Sequence, residues 1–580
     1  MSMNGGFRYR PRSLELLGRD RPEFSLSTEV VAGLTVGLIA LPLSLALGIA
    51  SVPAGTTTAL PVPALGIVTA IVAGFSISLL GGSRVQIGGP TAAFVPIVLL
   101  ILSEHGYAGL LVATMMAGVL LILLGLTGLG SLVKFIPWPV TSGFTTGIAA
   151  AIVLTQIPDF LGLDVRSDPL PREFFDKVPW LFEHVRTVNW HSGALAVACL
   201  LLILLWPRLG LRRVPGSIAA IVMAALFVGI MGWSGAAGVE TVATKFGDDA
   251  IPRGLPMPSL PEIDGAAIAD LIGPATAIAI LGAIESLLSA VVADGLTGDR
   301  HDSNTELIGQ GIANLVCPFF GGLPATGAIA RTSASIGNGA RTPIAGMVHA
   351  LSLLVVILLG AKLAGYVPMA AMAAVLVAVA LRMGEWHELG RLGRMPRSDA
   401  LVLATTMALT VVFDLVIAIE VGMVLAAMLF IKRVAETTQV SLVTGSDSPE
   451  RPDHAALQAR IPDGVLAFEV FGPFLFGAAE KLEDALRRVE AWPKVLILRL
   501  HLVTAMDATG MNALESVVER MQRSGGAVVL SGVHQQPLRM LDRAGVIEQT
   551  GRENVCATFD EALARAGQLI ERGEGDPRAS

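Results

Sequence analysis

Two stretches of the chain, GGSRVQIGGPTAAFVPIVLL (residues 81–100) and GGLPATGAIARTSAS (residues 321–335), interrupt apolar sequence where a membrane-spanning helix would be continuous. In each stretch, about seven Gly- and Pro-rich residues precede a short helical run, which is typical of a half-helix that begins inside the bilayer. Such a start presents unpaired backbone N–H groups, and a helix N-terminus carries roughly half a positive charge. The two stretches therefore predict a shared anion-binding site.

The composition predicts an integral membrane domain followed by a soluble one. Hydrophobic residues make up 53% and charged residues 15% of the chain, and most of it consists of apolar segments near the roughly 20 residues that span a bilayer. No cleavable signal peptide is indicated, and three scattered cysteines predict neither disulfides nor a metal cluster. The predicted divisions are a cytoplasmic N-terminal segment (1–25), a transmembrane domain (26–435), a linker (436–450), a soluble domain (451–570) and a flexible tail (571–580).

Hydropathy predicts fourteen membrane-spanning segments. An even number places both termini on one side, and the arginines of the N-terminal segment favour the cytoplasm. Pro42 and Glu285, at comparable depths, are 243 residues apart, and Thr91 and Arg331 are 240 residues apart. These similar offsets predict two copies of seven segments, and the second copy is inverted because seven is odd. The predicted segments are approximately 29–51, 63–80, 90–104, 108–130, 136–157, 193–207, 214–234, 268–292, 304–320, 327–339, 343–362, 367–382, 399–414 and 415–431.

Two ionisable residues lie inside predicted spans. Glu285 lies in the middle of the eighth segment, and Arg331 lies about one turn into the second half-helix. A charge at such depth is costly unless it is paired, neutralised or facing water, so both are candidate functional residues. Arg331 would strengthen an anion site, and Glu285 would carry a coupling ion; alternatively, the two residues pair and lock the second half of the domain together. Ser289, one turn after Glu285, is either a Na⁺ ligand or a serine bonded to its own helix.

Three further features have both a structural and a functional interpretation. Pro42 is expected to kink or break the first segment. His349 is predicted to be a packing histidine whose ring is satisfied, in preference to a proton relay. Thr91, Thr332 and Ser333 are predicted either to contact substrate oxygens or to cap helices.

Four stretches carry a family resemblance: AGLTVGLIALPLSLALGIAS (32–51), GGPTAAFVPI (88–97), ESLLSAVVADGLTGDRHDSNTELIGQGIANLV (285–316) and LPATGAIARTSASIGNGARTP (323–343). They resemble the SulP anion transporters, bacterial relatives of the animal sulfate, chloride and bicarbonate exchangers, and the similarity extends from about residue 24 to residue 570. The resemblance implies an α-helical membrane protein with fourteen transmembrane segments in a 7+7 inverted repeat, divided into a core domain and a gate domain.

The resemblance also implies the site residues by position, with substrate between the third and tenth segments and contacts from the first and eighth. Many animal members have a glutamine where this chain has Leu43. Members with aspartate and threonine at the positions of Glu285 and Ser289 transport bicarbonate with sodium, and the glutamate here favours protons. Apart from H⁺ or Na⁺ at Glu285 and Ser289, no metal or cofactor is expected. The implied substrate-binding residues are Leu43, Pro90, Thr91, Ala92, Ile329, Ala330 and Arg331.

The C-terminal region predicts a small α/β domain, because apolar strands such as KVLILRLHLV (494–503) and AVVLSGV (527–533) alternate with helices. The turn LVTAMDATGMNAL (502–514) resembles the STAS domain of SulP proteins and anti-sigma-factor antagonists, in which a phosphorylatable serine follows the aspartate. Here Ala508 follows Asp507, so that switch is absent. The resemblance implies a homodimer with this domain at the cytoplasmic face, where a protein partner is possible.

Together these features predict a secondary active transporter of the bacterial inner membrane. It would take up a small anion, such as bicarbonate, sulfate or a dicarboxylate, with H⁺ or Na⁺. The alternatives are an uncoupled, channel-like anion conductor, against which Glu285 argues, and an anion exchanger. A nucleobase transporter would require carboxylates from more than one segment. An enzyme is not expected, since the sequence shows no nucleophile motif or phosphate loop, and no nucleic-acid partner is expected.

Overall fold

The interrupted stretches lie in a chain whose computed structural model describes residues 9–17, 24–53, 56–130, 137–165, 170–171, 174–209, 215–234, 238–247, 250–261, 268–413, 415–443, 460–475, 478–487 and 493–572. The chain folds into two units, residues 1–423 and residues 424–580.

Long apolar helices dominate the first unit. Seven of the described helices are long and apolar enough to cross a membrane, and Gly216–Met231 and Met369–Met383 are shorter apolar helices. The helices are α1 (Leu26–Ala50), α2 (Val62–Leu80), α3 (Val95–Leu126), α4 (Trp138–Leu161), α5 (Phe174–His184), α6 (Trp190–Leu205), α7 (Gly216–Met231), α8 (Val242–Phe246), α9 (Ile272–Thr297), α10 (Ser303–Val316), α11 (Ile329–Gly337), α12 (Pro343–Ala364), α13 (Met369–Met383), α14 (Trp386–Leu389), α15 (Arg397–Val412) and α16 (Leu415–Thr437), the last of which continues into the second unit.

Each of the fourteen predicted segments falls on one of these helices, although the number of spans stays a prediction. The third and fourth segments both lie in α3, which breaks at Gly106, where φ is 67°. Glycine adopts this conformation readily because it has no Cβ atom. The expected break at Pro42 is not found, since α1 continues as one helix through it. The missing N–H of Pro42 therefore removes one hydrogen bond without ending the helix.

Two strands of two residues each join the interrupted stretches. β1 (Gly88–Gly89) pairs antiparallel with β2 (Thr326–Gly327). A short 3₁₀ helix, Ala92–Phe94, and then α3 follow β1, whereas α11 follows β2. The predicted order of extended approach and helix start is thus present in both stretches. Because paired strands lie about 4.8 Å apart, this ladder brings the two helix starts close together.

α3 and α10 approach each other closely at two glycines. A Cβ atom added to Gly118 would lie 2.7 Å from the carbonyl oxygen of Gly311, and one added to Gly311 would lie 2.6 Å from that of Gly118. The two backbones therefore pack directly against each other, as small residues allow between helices in membranes. This contact fixes α10 against the helix that begins just after β1.

We expect Gly311→Ala to destabilise the protein by roughly 1–3 kcal/mol, because an added methyl group overpacks a dense interior. The measurement is the thermal midpoint of the purified protein in detergent. Gly295→Ala is the matched control, since no atom lies within 4 Å of a Cβ added at this position in α9. Equal midpoints for the two variants would contradict the close packing.

Residues 9–17 cap the C-terminal end of α2. The last carbonyl groups of a helix lack partners within the helix, and here donors from this N-terminal segment reach three successive carbonyls. The hydrogen bonds run from Ser13 Oγ to the Leu79 carbonyl (2.5 Å), from the Tyr9 hydroxyl to the Leu80 carbonyl (3.0 Å) and from the Arg12 backbone N–H to the Gly81 carbonyl (3.1 Å). The segment thereby holds the point at which the chain leaves α2 for β1.

Glu15 also anchors residues 9–17 to the residues that lead into β1. Its carboxylate accepts a hydrogen bond from Arg84 Nε at 2.8 Å and another from Arg12, and Arg84 also pairs with Asp299 at 2.9 Å. Burial by itself raises the pKa of Glu15, but the two guanidinium groups together hold that pKa below its usual value.

A carboxylate whose pKa is lowered by folding contributes stability above its unfolded pKa, and this contribution is lost as pH falls through the folded pKa. We therefore expect residues 9–17 to stay attached at neutral pH and to detach only below about pH 4. Amide hydrogen exchange, corrected for intrinsic rates, measures the attachment. Glu15→Gln should lower protection of these amides at pH 7, whereas Glu104→Gln, at an exposed carboxylate, should not. Equal protection in both variants would show that the ion pairs do not hold the segment.

The second unit is built on a mixed five-stranded sheet. One face packs against α17 (Ala478–Arg487), α18 (Ala508–Arg523), α19 (Gln535–Arg543) and α20 (Val546–Thr550), and α21 (Phe559–Glu571) covers the other. The first strand pairs antiparallel with the second, and the remaining neighbours are parallel. In spatial order the strands are β3 (Gln439–Leu442), β4 (Val465–Phe471), β5 (Val495–Leu502), β6 (Ala527–Ser531) and β7 (Val555–Cys556).

The predicted α/β domain is confirmed, with two strands, β3 and β7, that the sequence did not indicate. β3 lies within the range predicted as a linker (436–450). Its alternation of polar and apolar residues is typical of an edge strand, but it is too short to be recognised from the sequence. Asp507 caps α18 by accepting a hydrogen bond from the Gly510 N–H at 2.8 Å. Most of the remaining predicted linker and of the predicted flexible tail (571–580) lies outside the described residues.

Candidate anion-binding site

No side chain at either N-cap position caps the two helix starts that the ladder joins. Thr91 precedes the 3₁₀ helix and Ala328 precedes α11, and neither side chain accepts a hydrogen bond from a first-turn N–H. The Thr91 hydroxyl is itself buried without a hydrogen-bond partner. Since first-turn amides lack acceptors within their helix, both starts can donate hydrogen bonds to an anion.

The first turn of α11 opens to space outside the protein. Ile329 is 36% exposed and Ala330 is exposed as well, although residues 321–328 and 331–332 on either side are buried. A ligand can therefore reach this helix start. Leu43 lies in α1, which packs against α11. Of the other predicted substrate-binding residues, Thr91 and Leu43 are half-buried and Pro90, Ala92 and Arg331 are buried.

Arg331 reaches from α11 to β1. Its Nη2 donates a hydrogen bond to the carbonyl of Pro90, and a Cβ atom added to Gly89 would lie 2.6 Å from its Nη1. The residue is only 2% exposed, and its Nε and Nη1 have no hydrogen-bond partner. Arg331 therefore joins the two interrupted stretches and places a positive charge against the backbone just before the first helix start.

Glu285 does not pair with Arg331. No hydrogen bond or ion pair joins the two side chains, both of which belong to the described part of the chain. The alternative prediction, in which Glu285 and Arg331 pair and lock the second half of the domain together, is therefore not supported by a contact between them. A buried guanidinium without a counter-charge is costly, so the arrangement favours an anion from outside the protein.

Hydrogen bonds hold α9 against the ladder on the turn that carries Glu285. The Ser286 hydroxyl lies 2.6 Å from the Thr326 hydroxyl, and Ser289 Oγ donates to Thr332 Oγ1 at 3.3 Å. Residues four apart lie on one face of a helix. Glu285, which is 7% exposed, therefore shares the face of α9 through which Ser289 contacts α11.

Part of this hydrogen-bond network is not apparent from the sequence. Gln86 Nε2 donates to the Ser286 carbonyl at 3.1 Å, and Thr332 Oγ1 accepts from the Ile87 N–H at 3.0 Å. These contacts give Thr332 a structural role inside α11 and not the predicted cap, whereas its contact with substrate stays a prediction. The available signal was a polar residue close to a glycine in each stretch, Gln86 in the first and Thr326 in the second.

His349 lies in α12 with no exposed surface, as expected. The structure does not satisfy its ring, since neither Nδ1 nor Nε2 has a hydrogen-bond partner among the described residues.

A polar pocket of about 200 Å³ shares no residue with this site. It includes Arg84 and Arg341, together with Asp294, Asp299 and His301. His301 Nδ1 lies 2.7 Å from Asp294, and Arg84 pairs with Asp299, so most of its charged groups are already paired.

We expect Thr332→Val to lower stability by roughly 1–3 kcal/mol, because the buried N–H of Ile87 loses its acceptor. Thermal midpoints in detergent provide the measurement. Thr276→Val is the matched control, since the exposed Thr276 hydroxyl bonds only the Ile272 carbonyl of its own helix. If both variants melted at the same temperature, the link between β1 and α11 through Thr332 would be dispensable.

Comparison with known proteins places the chain in a family. Residues 26–406 match the Sulfate permease family, and residues 456–562 match the STAS domain. The chain belongs to the Sulfate permease family. The first match contains both interrupted stretches and all the predicted site residues.

Relatives in this family align with nearly the whole chain. YvdB of Bacillus subtilis, which is named as a sulfate transporter, is 39% identical over 534 residues, covering 92% of this chain and 96% of YvdB. The bicarbonate transporter BicA of Synechocystis is 31% identical over 561 residues, covering 93% of this chain and 94% of BicA. The structure of the murine anion transporter Slc26a9 matches with a TM-score of 0.82 at 17% identity, covering 98% of this chain and 96% of that one.

These matches confirm the predicted family and the fold class of a helical membrane protein with a C-terminal STAS domain. The Slc26a9 match supports the fold alone. Because the relatives are transporters, the chain is an anion transporter embedded in the membrane and not an enzyme.

Proposed function

We propose that the chain takes up a small anion by secondary active transport, with H⁺ or Na⁺ bound at Glu285. The observation that carries the proposal is the ladder of β1 and β2, which joins two uncapped helix starts beside the buried guanidinium of Arg331. Backbone donors and a fixed positive charge in a medium of low dielectric constant attract anions. They offer no acceptors for the N–H groups of a nucleobase.

In this proposal the anion lies between the start of the 3₁₀ helix and the start of α11. First-turn N–H groups of both helices donate to it, and the unpartnered Thr91 hydroxyl adds a further donor. Leu43 supplies apolar contact from α1. The proposed substrate-binding residues are Leu43, Pro90, Thr91, Ala92, Ile329, Ala330 and Arg331.

Glu285 and Ser289 form the proposed coupling-ion site. A buried carboxylate is costly in its ionised form, and a proton or Na⁺ removes that cost. The Ser289 hydroxyl donates a hydrogen bond to Thr332 Oγ1, which leaves the lone pairs of Ser289 Oγ available to a cation. This arrangement supports either coupling ion.

The proposed cargo is bicarbonate, sulfate or a dicarboxylate. YvdB is named for sulfate and BicA for bicarbonate. Leu43 offers no polar contact, so recognition relies on backbone donors, the Thr91 hydroxyl and the charge of Arg331. Each of the three anions can use these groups.

Alternating access is the proposed mechanism. The antiparallel ladder makes the two interrupted stretches approach the site from opposite directions, as two inverted copies would. In this proposal a core domain that carries the ladder moves against a gate domain within the bacterial inner membrane. We further propose a homodimer with both termini in the cytoplasm, where the STAS domain is accessible to a protein partner.

Uptake by proteoliposomes tests the function. The purified full chain is supplied with radiolabelled bicarbonate, sulfate or fumarate, with and without an inward H⁺ or Na⁺ gradient. We expect one anion to accumulate above equilibrium only when one of the gradients is present. Glu285→Gln should reduce this accumulation more than about tenfold while keeping passive equilibration, because the neutral amide cannot bind the coupling ion. Glu104→Gln, at a carboxylate that is 56% exposed, should accumulate the anion normally.

The other outcomes identify the alternatives. Normal accumulation by Glu285→Gln would rule out its coupling role. Uptake that needs an anion inside the vesicle, with no effect of either gradient, would indicate an exchanger. Uptake that follows only the membrane potential would indicate an uncoupled conductor.

A further inference from the structure

Helix α5, in the connection between α4 and α6, carries an exposed apolar face. Phe175 is 66% exposed and Phe182 is 75% exposed, and Pro179 between them is exposed as well. These residues occupy positions i, i+4 and i+7, which lie on one side of a helix. Contact of this face with water costs roughly 25 cal/mol for each Å² of apolar surface, so an apolar partner is favoured.

The other sides of α5 differ from this face. Trp180 is buried and stacks on His184, with 4.0 Å between the ring centroids. At 3.6 residues per turn, Trp180 points about 160° away from Phe182, and α5 packs against α15. Asp176 and Glu183 are exposed and lie about 90° around the helix from the apolar face. The helix therefore has a side that faces the protein, an apolar side and an acidic side.

Hydrogen bonds hold the C-terminal end of α5 beside the end of α4. The Asp164 N–H donates to Thr187 Oγ1 at 3.2 Å, and the Thr187 hydroxyl donates to the His184 carbonyl at 2.8 Å. Two residues later, the Asn189 N–H donates at 3.0 Å to the carbonyl of Leu161, the last residue of α4. Both α4 and the helical span that begins with α6 are long and apolar enough to cross a membrane. The point where they meet, with the end of α5 beside it, therefore lies at a membrane surface.

The first residue of α6 begins an exposed apolar stripe. Trp190 is 81% exposed, and the exposed side chains of Val197 and Leu201 follow it on the same side of the helix. Such a stripe on a membrane-crossing helix is typical of contact with acyl chains, and tryptophan is enriched where lipid meets water. Trp190 follows Phe182 by only eight residues, so the apolar face of α5 continues the lipid-facing surface at the level of the headgroups.

We propose that α5 is an amphipathic helix bound to the lipid surface. Phe175, Pro179 and Phe182 lie among the headgroups and the upper acyl chains, whereas Asp176 and Glu183 face water. An interfacial helix buries its apolar side about 5–10 Å into this boundary. By themselves, two phenylalanines and a proline expose less than the roughly 800 Å² that each partner buries in a stable protein interface, which favours lipid over a second copy of the chain. The inference depends on the membrane location of the chain and is independent of the transported anion and the coupling ion.

Spin-label accessibility tests the proposal. The full chain carries a nitroxide at Phe182→Cys, Phe175→Cys or Glu183→Cys and is embedded in nanodiscs of phosphatidylethanolamine and phosphatidylglycerol. Oxygen concentrates in lipid and a neutral nickel chelate concentrates in water, so the ratio of their collision rates with the nitroxide reports its depth. We expect this oxygen-to-nickel ratio at positions 175 and 182 to exceed that at position 183 by about threefold or more, because the two sides of the helix face different media.

Glu183→Cys is the matched control for water, and Leu201→Cys, on the exposed stripe of α6, is the reference for acyl chains and should give the highest ratio. The chain without an added cysteine gives the background, since its three native cysteines are buried. Thermal midpoints show which variants fold, and either phenylalanine position alone decides the result. Ratios as low as that of Glu183→Cys would place the face in water and overturn the proposal. Slow collisions with both reagents would show that protein, such as a second copy of the chain, covers the face, and would overturn it as well.

Discussion

The antiparallel pairing of β1 with β2 is the constraint on which the site depends. A helix that breaks inside a membrane exposes backbone groups that water cannot reach, and each such group is costly. Breaking two segments at the same depth lets their extended residues satisfy each other, as Gly88 and Gly89 do opposite Gly327 and Thr326. A further hydrogen bond from the Ala328 N–H to the Ile87 carbonyl, at 2.8 Å, extends the pairing. The amides just beyond the ladder are the ones that remain for an anion.

Glycine makes this arrangement possible. Gly89 has a φ of 145°, which side chains rarely tolerate, and a Cβ atom there would meet the guanidinium of Arg331. At Gly88 the added atom would collide with Ile77. The absence of side chains therefore lets α2, β1 and α11 pack within the distance that places Arg331 on the Pro90 carbonyl. The same two glycines, Gly88 and Gly89, therefore determine both the shape of the site and the position of its positive charge.

The sequence predicted what depends on local pattern. Gly- and Pro-rich approaches located both helix starts, and continuous apolar runs located the central strands of the STAS domain. Other features depend on residues far apart in the chain, and no local pattern reports them. The Gln86 amide meets the Ser286 carbonyl 200 positions away, and the N-terminal segment caps α2 from about 70 positions away. β3 was missed because four residues of mixed polarity give too weak a signal.

The separation of Glu285 from Arg331 has a consequence for coupling. If the two side chains formed a contact pair, an anion and a cation would each have to break that pair before binding, and much of their interaction energy would be lost. Left apart, each group can bind an ion of its own. Opposite charges a few ångströms apart attract by roughly 2–4 kcal/mol at an effective dielectric constant near 20. If a cation binds at Glu285 as proposed, linkage requires that the factor by which it raises anion affinity is also the factor by which the anion raises cation affinity. The hydrogen bonds from Ser289 and Ile87 to Thr332 join α9, α11 and the residues that lead into β1. In the proposed mechanism, this attraction would therefore favour simultaneous occupancy and would not draw the helices together.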